Sequence, residues 1–373
     1  MAQADSVLCS RLLYHNSMIY VLKNEKGIVL VLVLWVLMLL SVIAGEFCYS
    51  MRAEVNITYN FREETEAYYI AVAGLNRAIA EMIKTSILPK KEDILEREGQ
   101  EEKAFDWRIN TQIPSMQFGR GHFEVRIDNE SGKIDLNSAD RRLLRMMVDG
   151  FDIDDKEKDV IADSILDWID KDDLHRVNGA ENSYYESLPK PYKCKNGYFD
   201  SIEELLLVRG VTGEIFYGGL KDMVTVVSSN RTPEEVGKTS TARTRRSAGR
   251  TARDIGRINI NAASAAVLRM LPQMSDDLVM AVIEYRKDKD FKTLNDVNTV
   301  VGPDVYAEIQ PFITLRTYPY YTIRSFGRVD GGETRRGVEA MVQINKSIRK
   351  GFKIIQWLDV SEYDMPFSAD QKI

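Results

Sequence analysis

The chain has 373 residues, 44% hydrophobic and 28% charged, a globular balance that excludes a multi-span membrane protein, a disordered chain and a fibrous repeat. Its 50 Lys/Arg against 56 Asp/Glu leave a net charge of −6, which argues against a protein built mainly to hold nucleic acid. Three cysteines (Cys9, Cys48, Cys194) cannot make a disulfide framework, and the length suggests two or three domains.

In chain order, the first unusual segment is Ile28 to Ala44, IVLVLVLWVLMLLSVIA, seventeen positions without a charge. A spanning helix needs roughly 17–25 apolar residues, and Gly45, Phe47 and Cys48 extend this one past Glu46. The run is longer than a signal-peptide core and no A-x-A-like site follows it. Ile28, Leu32, Trp35, Leu39 and Ala44 are therefore expected inside a membrane. Lys23 and Lys26 put residues 1–27 on the cytoplasmic side and the rest on the exported side. Helix formers continue without proline to about Lys84, with Ala67, Ala71, Leu75, Ala78 and Met82 at three- and four-residue spacing. Gly45 and Gly74 are the expected weak points of that helix.

A basic stretch ending in Gly27 directly before a long apolar helix resembles the prepilin leader of type IV pilins and pseudopilins. The resemblance implies cleavage by a prepilin peptidase between Gly27 and Ile28, methylation of the new amine, and a helix shared between lipid and a globular head. A start at Met18 would give a ten-residue leader. Members of that family mostly carry a glutamate at the fifth position after the cut, where this chain has Leu32. That departure is characteristic of the large minor pseudopilin of type II secretion, the protein K family.

The next signal is an internal repeat. Ile134–Met147 aligns without gaps to Ile258–Leu271, with Asn137/Asn261, Ala139/Ala263, Leu144/Leu268, Arg145/Arg269 and Met146/Met270 identical. Each copy then shows a Phe with a Gly eleven positions on, Phe199 to Gly210 and Phe291 to Gly302, and ends in a β-branched tail. Copy one carries about 32 extra residues between its first anchor and its Phe. Asn137 and Asn261 are placed as helix N-caps, and both copies read as small all-helical bundles. Copy two resembles helix-hairpin-helix and SAM-like modules, so DNA binding is an alternative. Its hairpin, Pro272–Ser275, lacks the glycines that approach a phosphate, and Asp276 and Asp277 follow. Nucleic acid is therefore not the expected partner, and a protein-interaction scaffold is preferred.

Strand-like segments flank the copies at Phe123–Asp128, Tyr320–Phe326, Val338–Ile344 and Phe352–Leu358. The order is α+β: a long N-terminal helix and a pilin-type antiparallel sheet head with a large inserted α-helical domain. The expected division is a leader 1–27, a spanning part 28–48, a periplasmic helix with the first strands 49–133, copy one 134–227, a linker 228–257, copy two 258–315, and the remaining strands and tail 316–373. The linker has eight Lys/Arg, three acids and nine Ser/Thr, which reads as a solvated tether.

Residues 152–186 hold twelve acids and four Lys/Arg, with four aspartates inside seven positions at a predicted helix end. Such charges repel unless a cation sits among them, and hard oxygens with Asn-Gly in the turn suit Ca²⁺; a solvated acidic loop is the other reading. An EF-hand match fails at Leu174 and His175. The run D-W-I-D-x-D…N-G-A-E-x-x-Y-Y is similar to the protein K family, which implies structural calcium at Asp167, Asp170, Asp172 and Glu181, with Asp173 and Asn178 as substitutes. No P-loop, G-x-S-x-G or H-E-x-x-H is present, and a non-enzyme is expected. The family further implies a minor pseudopilin at the tip of a periplasmic pseudopilus, single-pass in the inner membrane with its bulk in the periplasm. Its partners would be the minor pseudopilins I and J. A minor pilin of a type IV pilus, a competence-type DNA receptor and a membrane-anchored calcium-dependent hydrolase remain as rival readings.

Overall fold

The computed structural model describes residues 25–87, 107–109, 113–227 and 256–360. The leader before Glu25, most of the basic linker and the tail beyond Val360 lie outside the described residues. The chain divides into a unit ending at Thr65 and a unit beginning at Glu66.

Helix α1 runs without interruption from Glu25 to Ile87. In the first unit its apolar residues, from Ile28 through Ile43 to Phe61, are all solvent-exposed, and this is one helix long and apolar enough to cross a membrane. Gly45 does not break it. In the second unit the sequence-predicted stripe is the buried one: Ala67, Ala71, Leu75 and Ala78 are fully buried and Met82 nearly so.

That stripe packs on a five-stranded antiparallel sheet of order β1-β2-β7-β8-β9. The strands are β1 Met116–Phe118, β2 Gly121–Asn129, β7 Tyr320–Val329, β8 Arg335–Ile344 and β9 Phe352–Val360. Alternation places Phe123, Val125 and Ile127 of β2 and Val338, Ala340, Val342 and Ile344 of β8 on the helix side. Gly74 is not a weak point. A Cβ there would stand 2.7 Å from the Phe123 ring, so its absence sets how closely the helix approaches the sheet. Short β1 was not expected from sequence.

Between β2 and β7, which are neighbours in register (Asn129 opposite Tyr321), the chain departs into the inserted helical domain and returns. Copy one has β3 Ile134–Asp135, α2 Arg141–Met147, α3 Asp155–Ile169, α4 Asn182–Tyr185 and β4 Val224–Thr225, with a 3-10 helix over Ile202–Leu207 and a kinked helical run over 213–223 between α4 and β4. Copy two has β5 Ile258–Asn259, α5 Ala265–Arg269, α6 Asp276–Asp288, α7 Leu294–Val301, α8 Pro303–Ile309 and β6 Ile313–Thr314.

The copies are not purely helical. Each is closed by a two-residue parallel pair, β3 with β4 and β5 with β6, so the expected strand tails are real but short. One hydrophobic core, from Ile134 to Ile313, runs through both copies.

Asn137 and Asn261 are not N-caps; Asp140 and Ser264 cap the helices that follow. Each asparagine instead clamps the backbone of its module's anchoring phenylalanine. Asn137 donates to the Phe199 carbonyl (3.0 Å) and accepts from its N–H (2.7 Å). Asn261 does the same for Phe291, at 3.0 and 2.9 Å. An amide side chain sets an N–H donor beside a carbonyl acceptor in one plane, which matches both backbone groups of one residue.

The junction with the sheet is also polar. Asn129 donates to the Tyr318 carbonyl (2.9 Å), Asn259 to the Ser131 hydroxyl (3.0 Å) and the Thr322 hydroxyl to the Glu130 carboxylate (2.6 Å). Burial alone would raise the Glu130 pKa; the Lys133 ammonium and the Thr322 hydroxyl outweigh it and hold the carboxyl below its ordinary value.

Candidate functional site

Most of copy one's extra length lies between the end of α3 and Phe199, and the densest chemistry of the described residues lies there. Helix α3 is amphipathic and buries Ile161, Ile165 and Trp168. Trp168 stacks on Phe199 and meets Tyr185 and Tyr192 edge-on, an aromatic floor beneath the acidic segment. The same helical phase that buries Trp168 carries Asp167 inward, fully buried, and leaves Asp170 half-buried at the helix end. Glu181 immediately precedes α4 and is 1% exposed.

Ligand atoms of Asp167, Asp170 and Glu181 lie within 4.8 Å of one another. Their satisfaction is uneven. Arg176 Nη1 bridges Asp167 Oδ1 and Asp170 Oδ2 (2.6 Å to the latter), and the Arg176 N–H donates to Asp167 Oδ2 at 3.1 Å. Asp170 Oδ1 and both Glu181 carboxylate oxygens are buried without a hydrogen-bond partner. Burial pushes the Glu181 carboxyl up to about 7, the charges of Asp167, Asp170 and Asp173 adding to it and the Cys194 thiol opposing. Burial likewise raises Asp167, against the pull of Arg176. Two of the three acids also stand at the C-terminal end of α3, where the helix dipole disfavours negative charge.

A buried carboxylate with both oxygens unpaired is costly, and one guanidinium cannot balance three acids once all are ionised. The donor set fits a hard divalent cation, which takes carboxylate and carbonyl oxygens. Gly179 belongs to the same construction: a Cβ there would collide with Asp167 Oδ2.

The other three predicted ligands are not in this cluster. The Asp172 carboxylate accepts from Leu174 N (3.0 Å), fixing a turn. Asp173 accepts from the Asn182 backbone and side-chain amides (3.2 and 3.0 Å) at the start of α4. Asn178 donates to Asp163 (3.2 Å), a buried acid that Arg141 also holds. Sequence reading missed Asp163 and Arg176. The signal for Arg176 was a lone arginine inside the acid run, nine residues after Asp167 and six after Asp170.

In copy two the equivalent stretch between α6 and Phe291 is two residues long and carries no such cluster among the described residues. Its hairpin has Gln273 at φ 58°, the left-handed position that glycine favours, and Asp276 pairs with Arg269 at 2.7 Å.

Comparison with known proteins follows this division. Residues 125–229 match the family model for type II secretion system (T2SS), protein K, and residues 254–314 match the helix-hairpin-helix motif. Type II secretion system protein K of Aeromonas hydrophila is 24% identical over 205 residues, covering 52% of this chain and 61% of that protein. The protein of the same name from Pectobacterium carotovorum subsp. carotovorum is 29% identical over 90 residues, 24% of this chain and 27% of that protein. The chain thus aligns with about three-fifths of the Aeromonas relative's length and less of the other's. A chain of the crystallised GspK-GspI-GspJ complex from the enterotoxigenic Escherichia coli type 2 secretion system superposes with a TM-score of 0.50 at 15% identity. That superposition covers 82% of this chain and 99% of that one, so the two share a fold.

Proposed function

From a chain that belongs to the type II secretion system protein K family, we propose a minor pseudopilin: a subunit anchored in the inner membrane by the apolar part of α1, with its bulk in the periplasm. One observation carries the reading. A single helix is apolar and exposed from Ile28 to Ile43, and the same helix buries Ala67, Ala71, Leu75 and Ala78 against an antiparallel sheet. That is what a filament subunit needs, an anchor continuous with the core helix of its head.

The leader would be cut between Gly27 and Ile28 and the new amine methylated. Lacking an acid at Leu32, the subunit has no carboxylate to pair with the amine of a subunit ahead of it, and the inserted domain is too bulky to stack along a tight filament. Both favour the tip, beside the minor pseudopilins I and J, in support of protein export. The three-protein complex that contains the similar fold supports that choice of partners. Asp167, Asp170 and Glu181 would hold a structural calcium ion, with no catalytic role.

Intact mass of the membrane form and co-isolation with the two smaller minor pseudopilins test the proposal together. A chain starting at Ile28 and a complex with one copy of each subunit are expected. A mature N-terminus beyond Ala44, or regular self-crosslinking along the filament, would contradict it.

The helix-hairpin-helix match favours a second reading, a DNA receptor. Asp276 and Asp277 open α6 where phosphates would approach, and Gln273 replaces the flexible glycine. Fluorescence anisotropy with a short duplex should show no salt-dependent binding; a steep salt slope would restore this reading.

A further inference from the structure

We propose that Arg176 is a built-in competitor for the cation, so that the acidic site exchanges a guanidinium for a metal ion instead of merely receiving one. The inference rests on the cation reading of Asp167, Asp170 and Glu181. It arises from how the present charges are shared. Arg176 reaches Asp167 and Asp170 with one nitrogen, Nη1, and leaves both oxygens of Glu181 without a partner. The guanidinium therefore serves Asp167 and Asp170 and leaves Glu181, as buried as Asp167, bare. A permanent internal counter-ion would be expected to leave no buried acid of the cluster without a partner, because an unpaired buried charge is costly.

A cation bound by the same carboxylates needs the lone pairs that Arg176 now occupies, and two positive charges at that spacing repel. The Arg176 side chain can leave. It is 37% exposed, and it sits between His175 and Val177, the latter 95% exposed. Its backbone N–H, which donates to Asp167 Oδ2, is independent of the side chain and stays in place when the guanidinium swings out. The loop is thereby held in both states, and the metal's apparent affinity is lowered by the fraction of molecules in which Arg176 is docked. Release also moves a positive charge to a tip that carries exposed Leu174 and Val177, so the surface offered there differs between the two states.

The test is calcium titration by isothermal calorimetry on the full chain in detergent, comparing the parent with Arg176→Gln and Arg176→Lys, alongside melting temperatures with and without calcium. Arg176→Gln should bind calcium roughly fivefold to tenfold more tightly, as expected from removing a partly exposed charge-assisted contact, with Arg176→Lys between. Without calcium the Gln variant should melt below the parent; at saturating calcium the two should coincide. A purely structural arginine would lower both melting temperatures alike, which would overturn the proposal. A parent that binds calcium with unchanged or weaker affinity in Arg176→Gln also overturns it and leaves the cation reading standing. Binding by the Gln variant alone would support competition while contradicting a resident cation. No binding by any of the three overturns both.

Discussion

Copy one and copy two are the same module with one difference. Each has a parallel two-residue closure, an asparagine clamp on a buried phenylalanine, and a glycine with positive φ eleven residues later (Gly210 at 89°, Gly302 at 85°). Copy two passes from α6 to Phe291 through two residues, whereas copy one spends twenty-nine between α3 and Phe199 and fills many of them with carboxylates. The scaffold is therefore complete without the acidic segment. What the segment adds is a buried negative cluster that the scaffold does not need and has to neutralise. That contrast separates the residues that make the module from those that form the proposed cation site.

The largest effects are expected where the copies agree. Phe199 and Phe291 are each 2% exposed, and truncating either to alanine should cost about 3–5 kcal/mol. Because one core runs through both modules, denaturation of either variant should show a single transition for the whole insertion. Separate transitions for the two copies would break the shared-core account.

Where the copies differ, saturating calcium should stabilise the parent by about 2.7 kcal/mol at a hundredfold excess over the dissociation constant, read as a melting shift that EDTA reverses. Asp170→Ala with Glu181→Ala should abolish the shift. Asp172→Ala should leave it in place, because that carboxylate caps Leu174.

The clamps provide a finer comparison. Asn261→Ala leaves two buried backbone groups of Phe291 unpaired and should cost about 2 kcal/mol; Asn137→Ala, half-buried and reached by water, should cost about 1 kcal/mol. Equal costs would mean that burial does not distinguish the clamps.

The smallest effect concerns the joint that both copies hang from. Glu130 has a lower pKa folded than unfolded, so the stability it adds is present above the ordinary carboxylate range and is lost as pH falls through the folded value. The stability gap between parent and Glu130→Gln should be widest near neutrality and close in acid. A gap that widens in acid would reverse the assigned direction.

Much of this was legible in the sequence for physical reasons. The helix stripe at Ala67, Ala71, Leu75 and Ala78 and the alternation at Phe123–Asp128 each repeat with the period of their element, and both elements formed where expected. The duplication was readable because its anchors are spaced alike. The role of Asn137 and Asn261 was not, since an asparagine before a helix suits a cap equally well, and its true partner is 62 or 30 residues away. Of the six predicted ligands, Asp167, Asp170 and Glu181 converge because the segment after α3 returns Glu181, just before α4, to the end of α3. Asp172, Asp173 and Asn178 carry suitable oxygens, but local backbone and Asp163 contacts claim them first. Composition names donors; only the turn geometry decides which are free. The shared core of the two copies was also hidden, because periodicity reports which face is buried and not against what.

The central claim is that the extra segment of copy one, and not the module itself, is a cation site. Equilibrium dialysis of the full chain against calcium, with bound metal counted by atomic emission, tests it most directly. One ion per chain is expected for the parent, and none for Asp170→Ala with Glu181→Ala. No bound calcium in the parent, or an undiminished ion in the double variant, would contradict the account.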